Sequence, residues 1–173
     1  EPIHHELLIT LQQSYTGDNV PIKIERTICE YNKKRGETET IYINIQKGVD
    51  DGEIIYVKEK VNIVNNKKGD INITIKIINE TEFKRDGLNL TITKNVPFKN
   101  AFCGFHFSIE HINGKTYKLH NKAGNVIKPD SSKIIPKLGM IREDTIGNLI
   151  IKFNIIYPDQ INNEQLSIIE KYF

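Results

Sequence analysis

The sequence contains little cysteine and no long apolar run, and each shortage excludes a class of protein. Two cysteines occur among 173 residues, Cys29 and Cys103, and there is no C-x-x-C pair. A zinc ribbon or finger needs more ligands, so we expect neither a metal nor another cofactor. We expect both thiols to stay reduced in the cytoplasm. Because no run of about 18 apolar residues occurs, we expect no transmembrane helix and no membrane partner.

An excess of charge of one sign is also missing, which argues against a nucleic-acid partner. Lys and Arg total 24 and Asp and Glu total 22, so the formal net charge is +2. The short basic clusters at residues 33–35 and 67–68 lie in polar stretches that are typical of solvated loops. A protein that binds along a phosphate backbone presents a wider basic face than these clusters can form.

The sequence lacks a catalytic constellation. It contains no G-x-S-x-G elbow, no phosphate-binding loop and no dinucleotide-binding fingerprint. The five histidines show no metal-ligand spacing, and the odd separation of His106 and His111 would point them to opposite faces of a strand. We therefore predict a binding module without catalytic residues rather than an enzyme. A hydrolase whose site is assembled from distant residues is a weaker alternative.

Alternation of apolar and polar residues dominates the pattern that is present. It predicts strands over residues 3–11, 20–26, 41–46, 54–64, 71–77, 88–92, 105–112, 116–119 and 149–155. The polar stretches 30–40 and 65–69 are predicted to be loops. Pro21 cannot donate a ladder hydrogen bond, so it indicates an edge strand or the start of a strand. The predicted fold class is all-β.

The two halves of the chain resemble each other. Residues 11–17 run from an apolar residue through an aromatic to Gly17, and residues 98–104 repeat this pattern up to Gly104. Residues 69–73 are echoed in the same way by residues 147–151. Because corresponding features lie about eighty residues apart, we predict two tandem small β-sandwich or barrel-like domains, 1–80 and 81–158. The charged turn at residues 83–87 suits the junction.

The end of the chain changes to helical spacing. Leu166, Ile169 and Phe173 fall on one face of a short amphipathic helix within residues 159–173. So short a helix is marginal when it is alone in water. We therefore predict that it packs against a second copy of itself and makes the protein a homodimer.

Several motifs occur in the order in which one known family has them. They are K-G-V at residues 47–49, F-K-R-D-G at 83–87, A-x-C-G at 101–104, V-I-K-P at 126–129 and G-N-L-I-I at 147–151. On these residues the chain resembles the C-terminal substrate-binding region of DnaJ-type (J-domain) co-chaperones, over about residues 3–173. Residues 28–40 form a short segment without cysteine pairs, so the resemblance is to the zinc-free class.

The resemblance implies where ligands bind. In this family the first β-domain holds extended apolar segments of unfolded client proteins in a groove. By motif position, the lining residues are Leu7, Val20, Ile22, Ile24 and Ile73. Lys23 matches a position that helps to hold the acidic C-terminal tail of the seventy-kilodalton heat-shock chaperone. A second such position, usually Lys, is Val20 here, which implies weakened binding of the tail.

The expected function is therefore that of a co-chaperone module, which holds unfolded segments and delivers them to that chaperone. The alternative from another class is a β-sandwich adhesion or carbohydrate-binding module. Such a module needs clustered exposed aromatic residues, and the aromatic content of 8% shows no cluster in the sequence.

Overall fold

The computed structural model describes residues 2–64 and 67–173, and over these residues the chain is all-β with three short helices. The first half contains β1 (Ile3–Thr10), α1 (Leu11–Thr16), β2 (Asp18–Glu30), β3 (Lys33–Ile45), β4 (Ile54–Val64) and β5 (Lys67–Ile78). The second half contains β6 (Lys84–Asp86), β7 (Asn89–Pro97), α2 (Phe98–Cys103), β8 (Phe105–Glu110), β9 (Thr116–Asn121), β10 (Ser132–Ile135), β11 (Ile141–Arg142), β12 (Thr145–Ile146), β13 (Leu149–Ile156) and α3 (Asn163–Tyr172).

The first five strands form one sheet in the order β1-β5-β4-β2-β3. β1 and β5 run parallel, with Ile3 opposite Ile71, and the intervening strands supply the long connection that a parallel pair requires. β2 and β3 form a long antiparallel hairpin. β4 pairs with β5, whereas its described pairing with β2 is limited to Ile28 opposite Ile63 and the next residue pair.

Alternate side chains of these strands form the first core. Most of its members are isoleucines, because β-branched side chains pack well on a pleated surface. The buried members are Leu7, Ile9, Ile22, Ile24, Ile41, Ile43, Ile45, Val49, Ile71, Ile73 and Ile75. Burying so many large apolar side chains supplies the main driving force for this half of the fold.

The second half forms a smaller sheet, ordered β10-β13-β7-β6, and two hairpins, β8–β9 and β11–β12. These elements surround a second core. Its buried members are Leu11, Phe83, Leu90, Ile92, Ile109, Met140, Leu149 and Ile151. Leu11 comes from α1, so the second core also holds a residue of the first half.

The internal repeat predicted from the sequence is present in the fold. β1 leads into α1 and Gly17, and β7 leads into α2 and Gly104. These glycines have φ angles of 73° and 80°, which residues with a Cβ atom rarely adopt. β7 pairs in parallel with β13, as β1 does with β5. Leu11 belongs to the first half but packs in the second core, so the cores do not divide at residue 80. The domain boundary at that residue therefore stays a prediction.

The loop predicted over residues 30–40 is wrong. β2 and β3 continue to a tight turn at Tyr31 and Asn32, whose φ angles are 47° and 64°. Two central residues with positive φ match the right-handed twist of paired strands. Because the hairpin end carries polar residues on both faces, its sequence shows no period of two. The second predicted loop, at 65–69, lies partly outside the described residues, and from Lys67 onward it belongs to β5.

The predicted C-terminal helix is α3. It begins with a reciprocal cap, in which the Gln165 N–H donates to Asn162 Oδ1 at 2.8 Å and the Asn162 N–H donates to Gln165 Oε1 at 2.9 Å. This capping box satisfies two donors that a helix start leaves unpaired. Every residue of α3 is exposed, including its apolar ones.

Arg85 joins the two halves. Its Nη1 donates to the carbonyl oxygen of Val49 at 2.6 Å and to Ser14 Oγ at 3.1 Å, and its Nη2 donates to the Gly48 oxygen at 2.7 Å. The side chain is 8% exposed, and Asp50 lies 3.6 Å from its Nε. Burial lowers the pKa of the Arg85 guanidinium, and the charge of Asp50 acts in the opposite direction.

A second arginine binds the same turn from β11. Arg142 forms a bidentate pair with Glu53, with Nη2 to Oε2 at 3.0 Å and a close contact from Nη1 to Oε1. This hydrogen bonding lowers the pKa of Glu53 and raises the pKa of Arg142. Glu53 also accepts from the Asp50 N–H at 3.0 Å. The turn at residues 47–53 is therefore held by arginines of the second half.

Replacing Arg85 with methionine should lower the free energy of unfolding by roughly 2–4 kcal/mol, because the buried carbonyl oxygens of Gly48 and Val49 lose their charged donor. Urea denaturation followed by circular dichroism measures this change. Lys84→Met is the matched control on the same strand, where the side chain is exposed, and it should change the free energy by less than about 0.5 kcal/mol. Equal losses in the two variants would contradict the role of Arg85.

Replacing Glu53 with glutamine should destabilise the protein at pH 7, and the effect should become smaller as the pH is lowered to 3. The pKa of Glu53 is lowered in the folded state, so its contribution is present above the ordinary value of 4.5. It is lost as the pH falls through the lowered pKa. Thermal melting of both proteins at the two pH values measures the difference, with the exposed Glu82→Gln as control. A gap that stays constant with pH would contradict a charge-dependent contact.

Candidate functional site

Within the first sheet, β2 has one edge that is only partly paired, whereas β1 and β3 lie at the two ends of the sheet with their outer edges unpaired. One edge pairs with β3 along the whole strand. On the other edge β4 reaches Ile28 and Cys29, and among the described residues no strand pairs with that edge over residues 20–26. Along an uncovered edge every second residue presents its backbone N–H and C=O outward, and another extended chain can pair with them.

The structure brings the five predicted apolar residues into one cluster. Leu7, Ile22, Ile24 and Ile73 are buried in the first core, and Val20 is half-buried against it. Val20 therefore offers the most side-chain surface of the five. Ile73 is 0% exposed, so in this conformation it can support the surface but cannot touch a ligand.

Lys23 lies on the opposite face of β2. Val20, Ile22 and Ile24 alternate with it and face the core, whereas Lys23 is exposed and lies opposite Thr40 of β3. Its exposed neighbour on the same face is Glu25, which reduces the positive potential that an acidic segment would meet. The predicted apolar and acidic-tail sites therefore share one strand but not one face.

Ile55 and Val57 of β4 were not predicted, although they complete the apolar surface. Both are half-buried against the first core. The described pairing of β4 with β2 is limited to Ile63 and Val64, and the register of β4 against β5 shifts between Val57 and Val64. The alternation in β4 is visible in the sequence, but its register against β2 depends on tertiary structure.

A second apolar surface lies between α2 and α3. This groove of about 460 Å³ is lined by Phe98, Lys99, Phe102, Cys103, Ile169 and Phe173. The predicted dimer residues Ile169 and Phe173 belong to it, whereas the predicted Leu166 is exposed but not part of the lining. Phe173 is 96% exposed. The contribution of α2 was missed, because its sequence indicates no more than a short helical turn.

His111 has a structural role. It is buried, its Nδ1 accepts from the Asn113 N–H at 3.1 Å, and its Nε2–H therefore donates to the Leu138 oxygen at 2.8 Å. Tyr15 and Phe83 pack edge-on against the ring. Over residues 2–64 and 67–173 there is no group of three His, Cys, Asp or Glu side chains that could hold a metal ion.

His106 and His120 lie opposite each other on β8 and β9, with ring centroids 5.8 Å apart. We did not predict this pair from the sequence. The signal was available, since a hairpin centred on Asn113 pairs residue 106 with residue 120.

Comparison with known proteins identifies the family of the chain. The profile of the DnaJ C terminal domain matches residues 3–158. The chain therefore belongs to the DnaJ C-terminal domain family, whose members are chaperones and co-chaperones of the DnaJ type. In the described part of the chain, no helix has the length and apolar character needed to cross a membrane.

Relatives are found in plants and animals. Chaperone protein dnaJ 3 of Arabidopsis thaliana is 27% identical over 159 residues, which cover 90% of this chain and 38% of that protein. DnaJ homolog subfamily B member 5 of Homo sapiens is 28% identical over 181 residues, covering 99% and 50%. DnaJ protein homolog 1 of Drosophila melanogaster is 28% identical over 164 residues, covering 92% and 49%. The chain spans half or less of the length of these relatives.

Proposed function

We propose that this chain is the client-binding module of a DnaJ-type co-chaperone. It holds extended apolar segments of unfolded proteins along residues 20–26 of β2 and delivers them to the seventy-kilodalton heat-shock chaperone. The observation that supports this most is an uncovered strand edge that lies directly beside an isoleucine-rich core. Backbone hydrogen bonds suit any client sequence, and alternate apolar side chains of the client fit the adjoining surface.

The burial of the proposed lining sets the strength of binding. Leu7, Ile22 and Ile24 are each less than a tenth exposed, so a client must displace side chains of this surface to reach them. We expect affinities on the order of micromolar, or roughly −8 kcal/mol, for a single site. Weak binding allows release, and it protects unfolded chains by mass action without any catalytic step. The module therefore acts as a binding protein rather than an enzyme, and we place it in the cytoplasm.

The acidic tail of the partner chaperone is the proposed second ligand, held by Lys23. The position that would supply a second lysine is Val20, and Glu25 adds an opposing charge on the same face as Lys23. Tail binding is therefore weaker than client binding and falls with added salt.

The homodimer is the third part of the proposal. α3 exposes Leu166, Ile169 and Phe173, which is unusual for a helix that is not covered by anything else. Its apolar face continues into the groove against α2, so a partner helix could cover both at once. Two client sites in one particle raise avidity through their effective concentration.

Replacing Val20 with lysine should weaken the binding of an apolar client and leave the binding of an acidic tail peptide nearly unchanged. A charge at this half-buried position opposes an apolar client, so its dissociation constant should rise about tenfold or more. The new lysine lies on the core-facing side of β2, away from Lys23, so the dissociation constant of an acidic tail peptide should change by less than about twofold. Fluorescence anisotropy with an extended apolar peptide and an acidic tail peptide measures both.

Asn19→Lys is the matched control for this experiment. It adds the same charge one residue away, on the opposite and exposed face of β2. It should leave the affinity for the apolar peptide within about twofold. An apolar peptide that binds all three proteins equally would exclude the β2 edge as the client site. Binding of simple sugars with no binding of either peptide would favour the adhesion alternative.

Replacing Ile169 with aspartate should convert the homodimer to a monomer, because it places a charge in the centre of the apolar groove. Light scattering coupled to size-exclusion chromatography gives the mass. Ser167→Asp introduces the same side chain on α3 outside the groove lining, and it should stay dimeric. An unchanged mass for Ile169→Asp would remove the proposed interface.

A further inference from the structure

We propose that His106 and His120 form a two-imidazole binding site for a borderline divalent metal ion of the Zn²⁺, Ni²⁺ or Cu²⁺ class. The two residues are direct cross-strand partners in the β8–β9 hairpin, and both are exposed on its outer face. The residues around the pair line neither the β2 edge nor the groove between α2 and α3, so the site is separate from both.

The spacing of the two rings suits one shared ion. Their centroids lie 5.8 Å apart and their planes are inclined by 33°. A metal-bound imidazole nitrogen lies about 2.0–2.1 Å from the ion, which places the ring centres of two ligands on one ion roughly 5–6 Å apart. Small rotations about the side-chain bonds would therefore bring one nitrogen of each ring to the same ion.

The hairpin that carries the rings is held rigidly from its inner face. Ile109 is buried in the second core, and Phe107 and Leu119 pack against it. Near the turn, the Asn113 amide donates to the Tyr117 hydroxyl oxygen at 2.9 Å. Because packing fixes the register, the two imidazoles are already brought together before an ion arrives, which lowers the entropic cost of chelation.

The surroundings define which ions fit. The shallow hollow around the pair has a volume of about 330 Å³ and includes Ser108 and Lys118, the next cross-strand pair. The Lys118 ammonium repels cations, and in the described chain no third His, Cys, Asp or Glu joins the pair. Hard ions that need several oxygen ligands are therefore disfavoured. Among borderline ions we expect Cu²⁺ to bind more tightly than Ni²⁺ or Zn²⁺, with water completing the coordination.

Calorimetric titration with Ni²⁺ and Zn²⁺ as free ions tests the site in the untagged protein. His106→Gln and His120→Gln should each weaken metal binding by about tenfold or more. Each variant keeps one imidazole, whereas in the wild type the second imidazole is held beside the first at a high effective concentration. His4→Gln is the matched control, since His4 is also an exposed strand histidine but lies on β1. It should leave the affinity unchanged.

A spectroscopic measurement on the wild type covers the case in which a variant fails to fold. Substoichiometric Cu²⁺ should broaden the imidazole resonances of His106 and His120 before those of the other three histidines. Broadening that begins at His4 or His5 would overturn the proposal. The proposal would also be overturned if the folded His106→Gln variant bound Ni²⁺ as tightly as the wild type.

Discussion

The contact between the Arg85 guanidinium and the carbonyl oxygens of Gly48 and Val49 is the constraint on which the arrangement of the two halves depends. One planar fork from β6 satisfies two carbonyls of a tight turn and the hydroxyl of Ser14 on α1. A lysine would not reproduce this arrangement, because it lacks the planar fork that places donors on two separate nitrogens. Gly48 also allows close approach, since a Cβ there would lie 2.5 Å from the Ile141 oxygen. The contact with Arg85 thereby holds the turn at residues 47–53 between the two cores.

The two halves share one construction but present different surfaces. Each has a strand, a six-residue helix and a glycine with positive φ, followed by a return strand that pairs in parallel with the first. In the first half the corresponding hairpin, β2–β3, is long and leaves an edge open. In the second half the hairpin β8–β9 is short and packs closely on its core. Duplication thus provides the scaffold, and the two halves differ in the length of this hairpin and in how it packs.

Local patterning was sufficient to predict most strands, because alternation and turn residues are encoded within a few positions. The all-β class, the repeat and α3 followed from such signals. The hairpin end around Tyr31 and Asn32 could not be predicted in this way, since polar side chains on both faces remove the alternation. Contacts between distant elements were equally hidden. Nothing local to residue 85 indicates that its partners are Gly48 and Val49, and nothing in β4 indicates its register against β2. The contribution of α2 to the groove beside α3 depends on the same kind of long-range docking.

An open apolar strand edge would normally invite self-association, and the residues of β2 counter this risk. Pro21 lacks a backbone donor, so it interrupts regular pairing with another copy of the same edge. Lys23 and Glu25 add exposed charges beside it, and charged edges resist aggregation. Meanwhile Ile22 and Ile24 stay buried, so little apolar surface is exposed when no client is bound. An unfolded client differs from a folded second copy because its chain is extended and flexible, so it can pair with the edge in many registers. Under the proposed function, these features would let the edge accept a client segment and would disfavour pairing between folded copies of the protein.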